Sequence, residues 1–311
     1  MTVSNVRPVK KPWLKKYLRE YWQLYVLIAP ALIYFAVFLY YPMYGLQIAF
    51  KDFRAPKGIF GSEWVGLKHF IRFVTEPWFR ILLNNTLTLS FYSLVARFPI
   101  PLFLSFLINE VRSKPFQKSV QMITYAPHFL SNVIVCGMVV MFFRIDVGIV
   151  NNVIRSFGGT ATDFLIKPAY FKHFYVWTGV WQSAGWGTII YLASLSAVDQ
   201  EVIEASIIDG CNRYQKIIHI DFPTIQPTIV INLLLSLGAV LTSDTEKIIL
   251  LQREVTKMAS ETFGSFLYNQ GIINGQFSYT AAAGMFQNVV NLIVLSLFNW
   301  IARRLGETAL W

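Results

Sequence analysis

The sequence predicts an all-α membrane protein of six transmembrane helices, and three observations carry that expectation. The 311-residue chain has a mean hydropathy of +0.47 with only 14% charged residues, whereas ordinary soluble domains carry roughly 25%. Its charges are clustered, leaving long uncharged runs between them. Those runs are continuous and do not alternate in the ~10-residue segments of a membrane β-barrel. Inside a bilayer every backbone amide must be satisfied within its own segment, so helix is the state these runs dictate.

Taken in order, each run is long enough to cross, since about 20 apolar residues span the hydrocarbon core. Tyr21 to Phe50 is 30 residues without a charge and predicts a span near 22–48. Ile81 to Asn109 holds Arg97 as its single charge and predicts 80–108. Ser119 to Phe143 and Phe174 to Val198 predict 119–143 and 174–197. Phe222 to Ser243 predicts 226–246, and Thr262 to Ala302 ends in an apolar stretch that predicts 280–302. Prolines at 30, 42, 99, 101 and 127 remove hydrogen bonds and will kink or end helices. They serve either plain packing or helices that line a cavity and flex. The run "AAAG" at 281–284 lets the last helix approach a neighbour closely.

Six basic residues (Arg7, Lys10, Lys11, Lys15, Lys16 and Arg19) precede the first span, and three follow it directly. Under the positive-inside rule this places the amino terminus in the cytoplasm, and six spans return the carboxyl terminus there. The domain reading is a basic cytoplasmic segment at 1–21, a transmembrane domain at 22–302 and a cytoplasmic tail at 303–311. The first apolar run is about twice the usual length of a signal peptide's apolar h-region and lacks a clear small-x-small cleavage site, which argues against cleavage. The net charge of +10 does not form one patch, so nucleic acid is excluded as a partner. Cys136 and Cys211 fall in different environments, so neither a disulfide nor metal-type spacing is expected. Nothing resembles a phosphate-binding loop, so the chain does not hydrolyse ATP alone, and paired acids or nucleophile–base spacings for other catalysis are missing.

The stretch "EASIIDGCNRYQKIIHIDFPTIQP", from Glu204 to Pro227, is the polar exception between two apolar runs. Asp199 is placed to cap a short helix over Gln200 to Asp209, and Gly210 is placed to stop it. Tyr214, Ile217 and Ile218 then form a stripe at i, i+3 and i+4 of a second helix, with Pro223 and Pro227 before the fifth span. Glu204 and Asp209 project charge from a ridge of small residues, Ala205 and Ser206. Such an elbow lies on the membrane surface or fits a partner's groove.

The spacing resembles the EAA loop of ABC importer permeases: Glu-Ala-Ala, a glycine four residues later, then Ile-x-Leu-Pro. Glu204, Ala205, Ser206, Gly210, Ile220, Phe222 and Pro223 occupy those places within a loop at 198–225. Further stretches, among them "YYPMYGLQIAFKDF", "QSAGWGTIIYLASLSAVDQEVIEASIIDG" and the terminal "RRLGETALW", resemble the LplB-type, oligosaccharide-importing branch of this family. One segment departs: "LTSDTEKIILLQREV", 241–255, is more polar than the family pattern.

The resemblance implies a MalF/MalG-like type I permease fold in a bacterial inner membrane. It implies a second homologous permease subunit, two cytoplasmic ATP-binding subunits that hold ATP and Mg, and an extracytoplasmic solute-binding protein. It makes the elbow a coupling helix, with Glu204, Ala205, Ser206, Asp209, Gly210, Ile220 and Pro223 facing the ATPase. The cargo it implies is an oligosaccharide, acidic polysaccharide fragments being one class. Trp181, Gln182 and Trp186 on the fourth span, with Arg97 and Asn232, are the candidates for a sugar path; an interfacial aromatic belt is the other reading of the tryptophans. Arg97, as an intramembrane charge, marks a subunit interface or an acidic-sugar contact. His69, His128, His173 and His219 show no ligand spacing. The rival classes are an ion-coupled secondary transporter, which needs a titratable centre at mid-membrane, a membrane-embedded enzyme and a receptor.

Overall fold

The computed structural model describes residues 20–239 and 241–304, so the basic cluster before residue 20 and the tail from 305 lie outside the described residues. The first helix among the described residues is α1, 29 residues over Trp22–Phe50. Pro30 stands inside it, and its last turns tighten to a 3-10 helix over Tyr44–Phe50. A two-stranded antiparallel ribbon follows, β1 (Lys51–Asp52) paired with β2 (Glu63–Trp64). Then come α2 (Lys68–Thr75) and α3, which runs 33 residues over Pro77–Asn109. Pro77 opens α3, where a missing N–H costs nothing. Phe98 keeps helical dihedrals, so Pro99 and Pro101 do not end the helix.

Pro127 and the extended Leu130 separate α4 (Lys114–Phe129) from α5 (Asn132–Phe143), and the two meet at 95°. Ser131 accepts a hydrogen bond from the Ile134 amide and so starts α5. The short α6 (Ile149–Ser156) is pinned by Asn151, whose side chain donates to the carbonyls of Phe143, Arg144 and Thr162.

The run expected as one span at 174–197 is two helices, α7 (Pro168–Ser183) and α8 (Thr188–Leu195), with a break between them. The break is a crossing point. A Cβ on Gly185 would stand 2.1 Å from the Thr124 carbonyl oxygen, and one on Gly187 would stand 2.9 Å from Pro101. Only glycine lets α4 and α3 come so near.

After α9 (Gln200–Ile208) the chain enters α10, a 26-residue helix over Arg213–Gly238. The span expected at 226–246 therefore starts and stops earlier. Its first turns carry charges that conceal them in a hydropathy reading, and a π-helical stretch over Ile217–Asp221 leads into the apolar part. Pro223 sits in the first regular turn and Pro227 is carried inside the helix. Asp244 caps a further short helix, α11 (Thr245–Leu251), by accepting from the Lys247 amide. The last described element is α12 (Phe277–Arg304). Ala282 and Ala283 of the small-residue run are fully buried there, as close approach requires.

Among the described residues four helices (α1, α3, α10 and α12) are long and apolar enough to cross a membrane, and five if α4 and α5 count as one bent span. One core joins α3, α5, α7 and α11 through Leu89, Val139, Tyr175, Val176 and Ile248. A second joins Phe73 of α2 and Leu82 of α3 to Phe263 and Tyr279. A third joins Phe106, Tyr191, Leu195 and Ile225, where α3, α8 and α10 meet. α1 has no fully buried residue before Ala49, so its apolar surface is free for lipid or another chain.

Candidate functional site: a central cavity and a surface elbow

A cavity of about 400 Å³ lies between α3, α7, α8 and α10, with Ala239, Thr242 and Ser243 also in its lining. On α3 it is lined by Ser90, Ser93 and Arg97, spaced 3 and 4 apart and hence on one helical face. Tyr175 and Ser183 line it from α7, and Asn232 and Ser236 from α10. The Arg97 guanidinium lies over Gly179, where a Cβ would come within 2.5 Å of its terminal nitrogen. Ser93 Oγ is buried without a hydrogen-bond partner. Asn232 donates to the Thr228 carbonyl at 2.8 Å. The structure thus brings Arg97 and Asn232 to one cavity.

It places the other three candidates elsewhere. Tyr175, Gly179 and Ser183 recur every four residues along the cavity face of α7. Trp177 and Trp181 are offset from that series by two residues, about 200° around the helix. Trp181 therefore lines a separate apolar depression with Val135, Phe142 and Phe174. Trp186 stacks on His128 with ring centroids 4.4 Å apart and planes 6° from parallel. Gln182 is a strut: it donates to the Leu130 carbonyl at 2.7 Å and accepts from Lys247 Nζ at 2.8 Å.

Lys247 was not among the sequence candidates. It is 1% exposed, and the polar 241–255 segment that holds it is packed inward. Asn132 donates to both Asp244 and Glu246, at 3.0 and 2.9 Å, and the Asp244 amide donates to the Tyr175 hydroxyl at 2.8 Å. The unusual polarity of this segment was the available signal.

The elbow forms as its residues dictate. Asp199 accepts from the Glu201 amide at 2.9 Å. Gly210 takes φ +76°, a left-handed conformation that side chains resist. The Cys211 amide then donates back to the Ser206 carbonyl, closing the helix end. Asn212 and Gln215 form a reciprocal capping box that starts α10. Glu204, Ala205 and Asp209 are exposed, while Ser206 and Ile220 are half-buried and Pro223 is exposed. Ile208 is 85% exposed, and Ile207 and Tyr214 stand out beside it. At the base, Lys216 bridges Glu110 at the end of α3 and the buried Asp221. Among the described residues no group of His, Cys, Asp and Glu is arranged to hold a metal ion, and Cys136 and Cys211 are free thiols.

Comparison with known proteins adds an independent line. The family model described as "Binding-protein-dependent transport system inner membrane component" matches residues 98–307. The chain is 43% identical over 288 residues to the polygalacturonan/rhamnogalacturonan transport system permease protein YteP of Bacillus subtilis (strain 168), covering 93% of this chain and 90% of that protein. It is 38% identical over 299 residues to protein LplB of the same organism, covering 96% and 94%. In the crystal structure of a bacterial alginate ABC transporter in complex with an alginate pentasaccharide-bound periplasmic protein, one chain superimposes with a TM-score of 0.88 at 36% identity. That match covers 97% of this chain and 100% of the other. A second alginate-importer structure, of a transporter for that acidic polysaccharide, gives 0.87 at 37% identity, covering 94% and 99%.

Proposed function

Since the chain belongs to the binding-protein-dependent transport system inner membrane components, the multi-pass permeases of bacterial ABC transporters, we propose that it forms half of the translocation path of an ATP-driven oligosaccharide importer. Its cargo is a fragment of an acidic polysaccharide. The relatives named for polygalacturonan, rhamnogalacturonan and alginate carry sugars with carboxylates, and this supports the assignment. In the membrane the chain makes six crossings with both termini in the cytoplasm, α4–α5 and α7–α8 each serving as one bent crossing.

The observation that carries the coupling half of the proposal is the elbow. Ile207, Ile208 and Tyr214 are exposed next to Glu204 and Asp209. An apolar patch rimmed by charge is the chemistry of a protein-binding surface. The elbow docks in a cleft of a cytoplasmic ATP-binding subunit, Glu204 pairing with a basic group there, while Ala205, Ser206 and Gly210 allow close approach. Closure of the ATPase pair on ATP and Mg moves the elbow. Because α10 is continuous from Arg213, that motion passes into the wall of the cavity as a rigid-body transition between two packings. A second permease subunit completes the path, and a solute-binding protein delivers the sugar from outside. This chain binds no nucleotide and catalyses no reaction.

The discriminating experiment depletes ATP in cells whose ion gradient is held intact. Loss of oligosaccharide uptake is the expected result. Uptake that persists on the gradient alone returns the ion-coupled transporter to first place.

A further inference from the structure

Two cations beside the central cavity are left unexplained by transport of a generic sugar. Arg97 lines the cavity, and Lys247 is buried against Gln182, the neighbour of the cavity-lining Ser183. The ion pairs of the described residues are made by other groups, and neither of these cations takes part in one. Glu246 and Asp244, the acids nearest to Lys247 in sequence, are both engaged by Asn132, and Asp244 also by the Lys247 backbone amide. Lys247 instead holds the neutral Gln182.

One turn of α7 joins the two cations. Arg97 lies on Gly179 and Lys247 on Gln182, and Ser183, next to Gln182 and one turn from Gly179, faces the cavity. A buried charge without a direct ion-pair partner is costly, and charges inside membrane proteins mark functional pathways. The cost is offset when an anion enters. Ser93 Oγ, buried, unpartnered and one turn from Arg97 on the same face, is a further donor. The cavity's about 400 Å³ lies within the range of small-molecule sites.

We infer that Arg97 receives the carboxylate of a uronate unit in transit, and that Lys247, positioned by Gln182, supplies the positive potential that makes the cavity select acidic over neutral sugars. This rests on the acidic-oligosaccharide reading above. It makes the membrane subunit a second filter for charge, behind the binding protein. It also accounts for the inward packing of the polar 241–255 segment, which carries Lys247 to its place.

The test uses the complete transporter (both permeases, the ATPases and the binding protein) in proteoliposomes. The probes are α-1,4-linked trigalacturonate and its fully methyl-esterified form, nearly matched in size but differing in charge. Wild type favours the acid. Arg97→Gln lowers the initial rate for trigalacturonate about tenfold or more, and for the ester by less than about twofold. Lys247→Met lowers only the acid rate, roughly threefold to tenfold, and Lys247→Arg keeps it. Gln182→Glu pairs the ammonium internally, so it lowers the acid rate without removing a side chain, which guards against misfolding of Lys247→Met. The binding protein is the same throughout, so a changed ratio belongs to this chain. Equal losses for both probes, or loss of the assembled complex in Arg97→Gln, overturn the inference and make Arg97 a subunit contact. Wild type that carries both probes equally also overturns it. Wild type that carries neither overturns the acidic-oligosaccharide reading itself, and this inference with it.

Discussion

The ammonium of Lys216 lies 2.5 Å from a carboxylate oxygen of Glu110, fastening the first turn of α10 to the end of α3. The same nitrogen reaches Asp221 at 3.0 Å. Both Lys216 and Glu110 are mostly buried, at 15% and 18% side-chain exposure, so the pair lies beyond the regime of exposed ion pairs worth about 0–1 kcal/mol. α3 carries Arg97, so this contact ties the elbow to the cavity. A double-mutant cycle with Lys216→Met and Glu110→Gln is expected to give a coupling energy of about 1–3 kcal/mol in unfolding of the purified complex. Uptake per ATP hydrolysed should fall with it. Additive single-mutant effects would show that the pair transmits nothing.

Gly210 has open space around its Cα yet a φ of +76°. Gly210→Ala is therefore expected to destabilise the elbow by about 1–2 kcal/mol through backbone strain. Gly210→Trp adds bulk at the proposed docking surface and should abolish uptake while ATP hydrolysis continues. Parallel assays of sugar uptake and phosphate release check this, and normal uptake by Gly210→Trp would sink the coupling assignment.

At Gly185 the obstacle is backbone, the Thr124 carbonyl at 2.1 Å from an added Cβ. Main chain cannot rotate away as a flexible side chain does, so Gly185→Ala must push α4 off α7. The expected cost is roughly 1–3 kcal/mol, read as a lower unfolding midpoint of the complex in detergent. A midpoint equal to wild type would mean the crossing is loose.

His69, on α2 outside the long apolar helices, is 6% exposed, with Nε2 4.0 Å from Asp52. Burial lowers its pKa below the usual 6.5, outweighing the attraction of Asp52. The unfolded chain then binds the proton more readily, so stability is complete above pH 6.5 and declines as pH falls toward the lowered value. His69→Phe should flatten that slope. Unfolding midpoints at pH 7.5 and about 5.5 measure it, and an unchanged slope in the variant would remove His69 as its source.

The long apolar helices and the elbow were legible because their causes are local. Uncharged runs require helix in lipid, Asp199 offers a cap acceptor, and Gly210 supplies the left-handed residue. The helix around Tyr214, Ile217 and Ile218 was legible, but its continuity with the fifth span was not, since Arg213, Lys216 and Asp221 read as part of a surface elbow until Glu110 is seen to meet Lys216. Arg97 and Asn232 could be singled out as polar groups in apolar runs. Trp181 and Gln182 could not be sorted, because facing depends on how α7 is rotated against its neighbours. The fate of 241–255 depends on Asn132 and Gln182, more than 50 residues away in sequence.

That inward-folded polar segment has a practical consequence for anyone swapping parts among related permeases. Residues 241–255 look like an exchangeable outer loop, but exchanging them alone strips Gln182 of its ammonium partner and Asn132 of two acceptors. A working chimera must graft α5, α7 and this stretch together as one inheritance unit.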